Sequence, residues 1–157
     1  GSMCEALSTT MDLLPTFVAM AGGTSTSTNK RDGHDITALI TGEEGATSPY
    51  PFFAYYYLDQ LQAIRSGPWK LFLPLNSFPR HPHYKSQNRR NGPLLFNVVE
   101  DIGCENNVVD HYPEVVERLS GYADEMREDL GDQGAPGPGM RKPGRVETPV
   151  PVVMTQE

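Results

Sequence analysis

Six side chains between Arg80 and Arg90 offer the densest chemistry in the sequence. His81 and His83 stand two residues apart, so an extended chain turns both to the same side. With Arg80, Lys85, Arg89 and Arg90 around them they could hold an anion. The same residues also read as a solvated basic loop. Two histidines could begin a metal site, but no carboxylate or cysteine stands nearby to complete it. No catalytic residue and no metal ligand is assigned. The sequence has no glycine-rich phosphate loop, no Gly-x-Ser-x-Gly, no His-x-x-x-His and no Cys-x-x-Cys. Asp12, Asp32 and Asp35 are scattered, and capping or turn roles are expected for each. Tyr55, Tyr56 and Tyr57 could line a sugar site, though core packing is the simpler role.

The charge around this loop is uneven. The protein carries a net charge of −7, which argues against general nucleic-acid binding. Yet no carboxylate occurs between Asp59 and Glu100, where Arg65 and Lys70 join the four cations of the loop. A basic middle in an acidic chain suits an anionic ligand or an acidic neighbour. At 157 residues the chain can bury one core, while 15 Gly and 14 Pro require substantial loop or tail. Cys4 and Cys104 cannot form a metal site by themselves, and sequence leaves open whether they pair. No apolar run approaches the roughly 20 residues of a membrane helix. Residues 1–3, Gly-Ser-Met, read as a tag remnant, so the compartment is not readable from the start of the chain.

The elements that must position these residues follow from periodicity. Ser8, Thr9 and Thr10 offer capping hydroxyls; Met11, Leu14, Phe17, Val18 and Ala21 then fall at helical spacing until Gly22. A helix over residues 10–21, buried on one face, is expected, with Pro15 tolerated only near its first turn. Ile36, Leu39 and Ile40 suggest one or two helical turns. Pro51–Leu58 is an aromatic strand covered on both sides. Leu61–Leu73 reads as a hairpin: two alternating arms meet at Ser66-Gly67-Pro68. Leu94–Val98 is a further short strand. Pro113–Leu130 is the clearest helix, with Val115, Val116, Leu119, Tyr122, Ala123, Met126 and Leu130 in one stripe. Residues 133–157 are rich in Pro and Gly and are expected to be a tail, extended over the surface or disordered. The fold expected is α+β: a three- to four-stranded antiparallel sheet, a long C-terminal helix across it and an N-terminal helix before it.

Five strings resemble one known family. Ser8-Thr9-Thr10-Met11-Asp12-Leu13-Leu14-Pro15-Thr16-Phe17 with Ala21-Gly22 is similar to the S-T-M-D-L-L-P-T…A-G segment of the arylsulfatases, formylglycine-dependent enzymes of the alkaline-phosphatase-like superfamily. Asp32-Gly33-His34-Asp35-Ile36 followed by Leu39-Ile40 and Gly42 resembles D-G-x-D-L…L-L-x-G. Ala63-Ile64-Arg65-Ser66-Gly67-Pro68-Trp69-Lys70-Leu71 resembles A-V-R-x-G-x-W-K-L. Leu95-Phe96-Asn97-Val98 and Glu100–Val108 resemble L-Y-D-L-x-x-D-P-x-E-x-x-N-L. His111–Leu119 resembles H-P-E-V-V-x-x-L. The strings come in family order over residues 4–131 and correspond to the C-terminal part of a sulfatase.

The resemblance implies three segments. Residues 4–49 would join the large catalytic domain, residues 50–132 would form the C-terminal sheet-and-helix subdomain, and residues 133–157 would be the tail. It implies a parent that hydrolyses sulfate esters with formylglycine and calcium. It also implies an exported setting, whether periplasmic, secreted or lysosomal. The family's catalytic motif, Cys or Ser-x-Pro-x-Arg, is met by neither Cys4-Glu5-Ala6-Leu7-Ser8 nor Cys104-Glu105-Asn106-Asn107-Val108. The chain alone is therefore expected to be inactive, with the missing N-terminal domain as its partner and with self-association possible through an exposed apolar face. Arg80–Arg90 becomes the candidate segment for shaping the pocket toward a sulfated carbohydrate or aryl sulfate. The alternative is a free-standing module that binds sulfated glycans or another anion without hydrolysis.

Overall fold

A computed structural model describes residues 3–24, 31–75, 92–142 and 144–149. Its centre is a four-stranded antiparallel sheet in sequential order, β1 (Phe53–Tyr57), β2 (Gln60–Ser66), β3 (Trp69–Phe72) and β4 (Leu94–Asn97). Arg65 lies opposite Lys70 and Leu71 opposite Leu95 in the ladder. The hairpin turns at Gly67, whose φ of +54° a side-chain-bearing residue rarely adopts. Pro68 follows without needing an N–H for the ladder.

The pairing slips once. Tyr55 faces Ala63 and Tyr56 faces Leu61, so Gln62 is an extra residue in β2. This bulge turns Leu61 and Ile64 to the same side. With Leu71, Leu73 and Leu95 they pack under Val109, Val115, Leu119 and Ala123. The opposite face gathers Ala63, Phe72, Leu75, Leu94, Phe96 and Cys104. The sheet therefore buries apolar side chains on both faces.

The long helix, α3 (Pro113–Asp129), covers the first face. Pro113 stands in the first turn, where its missing N–H leaves nothing unsatisfied. Val115, Leu119 and Ala123 recur every four residues and are the buried members of the stripe. Tyr122 stacks on Phe52 with ring centroids 4.4 Å apart. The outer edge of β4 is partly closed by Asn107, whose Oδ1 accepts the Leu95 N–H at 3.0 Å. The expected α+β architecture is the one observed.

Ahead of the sheet, a 3₁₀ turn (Thr10–Asp12) leads into α1 (Leu13–Met20), and α2 (Thr37–Thr41) follows. After α3 the chain is more ordered than its composition suggests. Two short strands, β5 (Gly131–Asp132) and β6 (Ala135–Pro136), pair as a hairpin. Asp132 accepts the Leu61 N–H at 2.9 Å and the Arg127 Nε–H at 3.2 Å, and the Gln133 N–H donates to the Asp59 carbonyl at 2.9 Å. Gln133 thus ties the start of this segment to the β1–β2 end, and the Gly137 and Gly139 N–H groups donate to the Leu130 and Asp129 carbonyls at the end of α3. No helix among the described residues is long and apolar enough to cross a membrane.

Leu119 is fully buried at the centre of the helix–sheet contact. Leu119→Ala should cost about 2–5 kcal/mol, the range for a truncated core leucine. Urea unfolding followed by Trp69 fluorescence measures it, and an equal substitution at exposed Leu58 should leave the midpoint nearly unchanged.

Candidate functional site

The N-terminal elements are built around one carboxylate. Asp12 is fully buried. It closes a capping box: the Met11 N–H donates to Thr9 Oγ1, and the Thr9 N–H donates to Asp12 Oδ2 at 2.6 Å. Sequence accounts for that much. The rest comes from distant segments. Asp12 Oδ1 accepts the His34 N–H at 2.8 Å and the hydroxyl of Tyr50. Thr16, also buried, donates its hydroxyl to the Asp12 carbonyl at 2.6 Å and accepts the Ile36 N–H at 3.0 Å. Gly33 makes the approach possible, because a Cβ there would fall 2.0 Å from the Met11 carbonyl oxygen. Ser48 ties Leu7 to the same assembly through a 2.6 Å bond to its carbonyl.

Burial alone would push the Asp12 carboxyl upward. Hydrogen bonds from Tyr50, His34 and Thr9 outweigh it and hold the group below the ordinary aspartate range. Tyr50 is shifted the other way, raised by burial and then by its bond to Asp12.

This clasp fixes which way α1 faces. Its buried residue is Thr16, and the preceding turn buries Asp12. Leu14 and Phe17, which periodicity assigns to the buried face, are 58% and 59% exposed, and Met20 is 51% exposed. Met11, Leu13 and Ile40 are exposed too. In this chain the helix buries its polar side and presents its apolar side. Exposed apolar groups in such a cluster mark a contact surface.

The other candidates distribute differently. Arg80, His81, His83, Lys85, Arg89 and Arg90 lie outside the described residues. Leu75, shortly before them in sequence, is buried in the second sheet face with Phe72 and Phe96. Arg65 and Lys70 stand opposite each other across β2 and β3. Tyr55 and Tyr56 are half-buried on opposite faces, and Tyr57 is exposed. The Tyr56 hydroxyl donates to the Gly131 carbonyl at 3.0 Å, a structural role. Asp35 accepts from the Thr37 N–H and hydroxyl, and Asp32 meets Arg141 at 3.4 Å. Cys4 is an exposed thiol and Cys104 a buried one, both free. Among the described residues no three His, Cys, Asp or Glu side chains converge where a cation could sit.

A sheet of this order crossed by one long helix, with a helical segment clasped ahead of it, defines a small α+β subdomain. Comparison with known proteins identifies it. The profile of the C-terminal region of aryl-sulfatase matches residues 48–136, more than half of the chain. The chain therefore belongs to the sulfatase family, as its C-terminal region. Bovine (Bos taurus) arylsulfatase A is 32% identical over 120 residues, covering 69% of this chain and 24% of the bovine protein. The solved structure of BT33336S-sulf, from a Bacteroides thetaiotaomicron locus for metabolism of multiple glycosaminoglycans, shares the fold. It has a TM-score of 0.54 at 24% identity over 74% of this chain and 24% of that one. The chain thus spans about a quarter of the length of these relatives.

The clasp yields a pH dependence with a defined sign. Because the Asp12 carboxyl is held below its unfolded value near 3.9, its contribution is complete above that pH and is lost as pH falls through the folded value. Hydrogen-exchange protection at the Thr9, His34 and Ile36 amides, taken relative to the intrinsic rate at each pH, should therefore be lost at acid pH before that of the sheet amides. Asp12→Ala should produce the same local opening at neutral pH, with a loss of about 3 kcal/mol for charge-assisted bonds.

Proposed function

We propose that this chain is the C-terminal subdomain of a sulfuric ester hydrolase and completes that enzyme by packing on its catalytic domain. The observation that carries the reading is the inverted helix: α1 buries Asp12 and Thr16 while Leu14, Phe17 and Met20 face outward. Such a face suits the flank of a larger domain. Left uncovered, it also suits self-association between copies of the chain. The parent would act on sulfate esters, carried by an aryl group or a carbohydrate. Formylglycine and calcium would supply nucleophile and charge stabilisation in the catalytic domain, outside these residues. Export of the parent is part of the same proposal.

The chain's own contribution to substrate would come from Arg80, His81, His83, Lys85, Arg89 and Arg90. Their charge and the absence of carboxylates between Asp59 and Glu100 support this. Cations at a pocket rim draw in anionic substrate without entering the bond-breaking step. The expected signature is a change in binding rather than turnover.

Neutralising Arg80, Lys85, Arg89 and Arg90 together in the full-length enzyme should raise KM for an anionic sulfate ester about tenfold, with kcat retained. Steady-state kinetics at constant ionic strength measures it; unchanged KM would contradict the loop's role. The 157-residue chain alone should show no turnover of an aryl sulfate. Hydrolysis by the isolated chain would place the catalytic site here instead.

A further inference from the structure

The second sheet face carries a pair of cations that has no counter-ion among the described residues. Arg65 on β2 and Lys70 on β3 are direct neighbours in the ladder. Both side chains point away from α3, because Ile64 and Leu71 beside them point toward it. Among the described residues neither makes an ion pair. The Arg65 guanidinium donates to the Gly67 carbonyl, at 3.3 Å. Lys70 Nζ lies over the ring faces of Tyr55 and Phe72, 4.3 Å and 4.9 Å from their centroids. Ring faces hold an ammonium in place without neutralising it.

Two like charges across one ladder rung repel. Burial lowers the Lys70 pKa first; the neighbouring Cys104 sulfur opposes that shift, and the Arg65 charge adds to it. Arg65 and Lys70 open into a cleft of about 370 Å³ that Tyr55, Val98 and Cys104 also line, with Glu5 the carboxylate-bearing residue among its described lining residues. The Glu5 carboxylate pairs with neither cation. The cleft is large enough for a sulfate group with part of the ring that carries it.

We propose that the Arg65–Lys70 cleft binds an oxyanion, the sulfate of a sulfated saccharide, held by the two cations with the Tyr55 ring beside it. This rests on the sulfate-ester reading of the parent and adds a site distinct in sequence from Arg80–Arg90. Guanidinium and ammonium together supply several N–H donors to one tetrahedral anion. Fixed over two rings, the Lys70 ammonium sacrifices little conformational freedom when the anion arrives.

The test is an NMR titration of the ¹⁵N-labelled chain with sodium sulfate, a monosulfated hexose and sodium acetate, each against sodium chloride at equal ionic strength. Saturable shifts at the Tyr55, Arg65 and Lys70 amides are expected with sulfate and, more tightly, with the sulfated hexose. Lys70→Met and Arg65→Gln should each weaken binding at least about tenfold, the loss of one charge-assisted contact, whereas Lys70→Arg should retain it. Arg65 is only half-buried, so Arg65→Gln keeps the test valid even if Lys70→Met unfolds. Shifts that stay linear, or that are equal in wild type and Arg65→Gln, would overturn the site. Saturable binding of acetate without sulfate would overturn the ligand, marking instead a seat for a protein carboxylate. None of these readouts needs the catalytic domain, so their failure leaves the docking reading intact.

Discussion

A buried carboxylate has to be satisfied, and Asp12 is satisfied by three separate segments. Its own turn supplies the Thr9 N–H, the loop before α2 supplies the His34 N–H, and the segment entering the sheet supplies the Tyr50 hydroxyl. An ionised group left without these bonds would cost several kcal/mol. The bonds exist only when α1 turns its Asp12–Thr16 side inward. The apolar residues on its other side are then committed to the surface. A polar requirement in the interior thus dictates an apolar exterior, and that exterior is the basis of the docking proposal.

The sheet accepts this arrangement because neither of its apolar faces is built from α1 residues. Its first face is sealed by α3, and the bulge at Gln62 allows Leu61 and Ile64 to share that face. Its second face is closed over Phe72 and Phe96 but leaves Arg65 and Lys70 at the margin. The hairpin after α3, held by Asp132 on Leu61 and Arg127, secures the end of the helix to the β1–β2 end of the sheet. Scaffold, exposed apolar helix face and charged cleft are therefore separable parts of one small structure.

How much of this was legible in the sequence depends on the range of each interaction. The α3 stripe from Val115 to Met126 and the turn at Ser66-Gly67-Pro68 are local signals, and both elements form where those signals place them. The bulge is not local: strict alternation puts Leu61 and Ala63 on one face, whereas pairing with β1 separates them. Asp12 reads as a cap, and it is one; its other donors lie 22 and 38 residues away and leave no local mark. For the same reason the spacing of Leu14 and Phe17 shows that one face is apolar but not whether this chain covers it. Past Asp132, proline and glycine suggest a tail, yet Gly131 and Gly134 take positive φ and allow a tight hairpin. Of the candidate site, the cation-rich composition was visible, but the pairing of Arg65 with Lys70 needed the register.

The central claim is that the outward face of α1 is buried in the parent enzyme, and one comparison tests it. Phe17→Ala is introduced both into this chain and into the full-length sulfatase, and thermal or urea unfolding is measured in each. In the chain, where Phe17 is 59% exposed, the change should stay within about 0.5 kcal/mol of wild type. In the full-length protein it should cost about 3–5 kcal/mol, the range for truncating a buried phenylalanine. Equal, small effects in both proteins would contradict the account and leave the apolar face of α1 as ordinary surface.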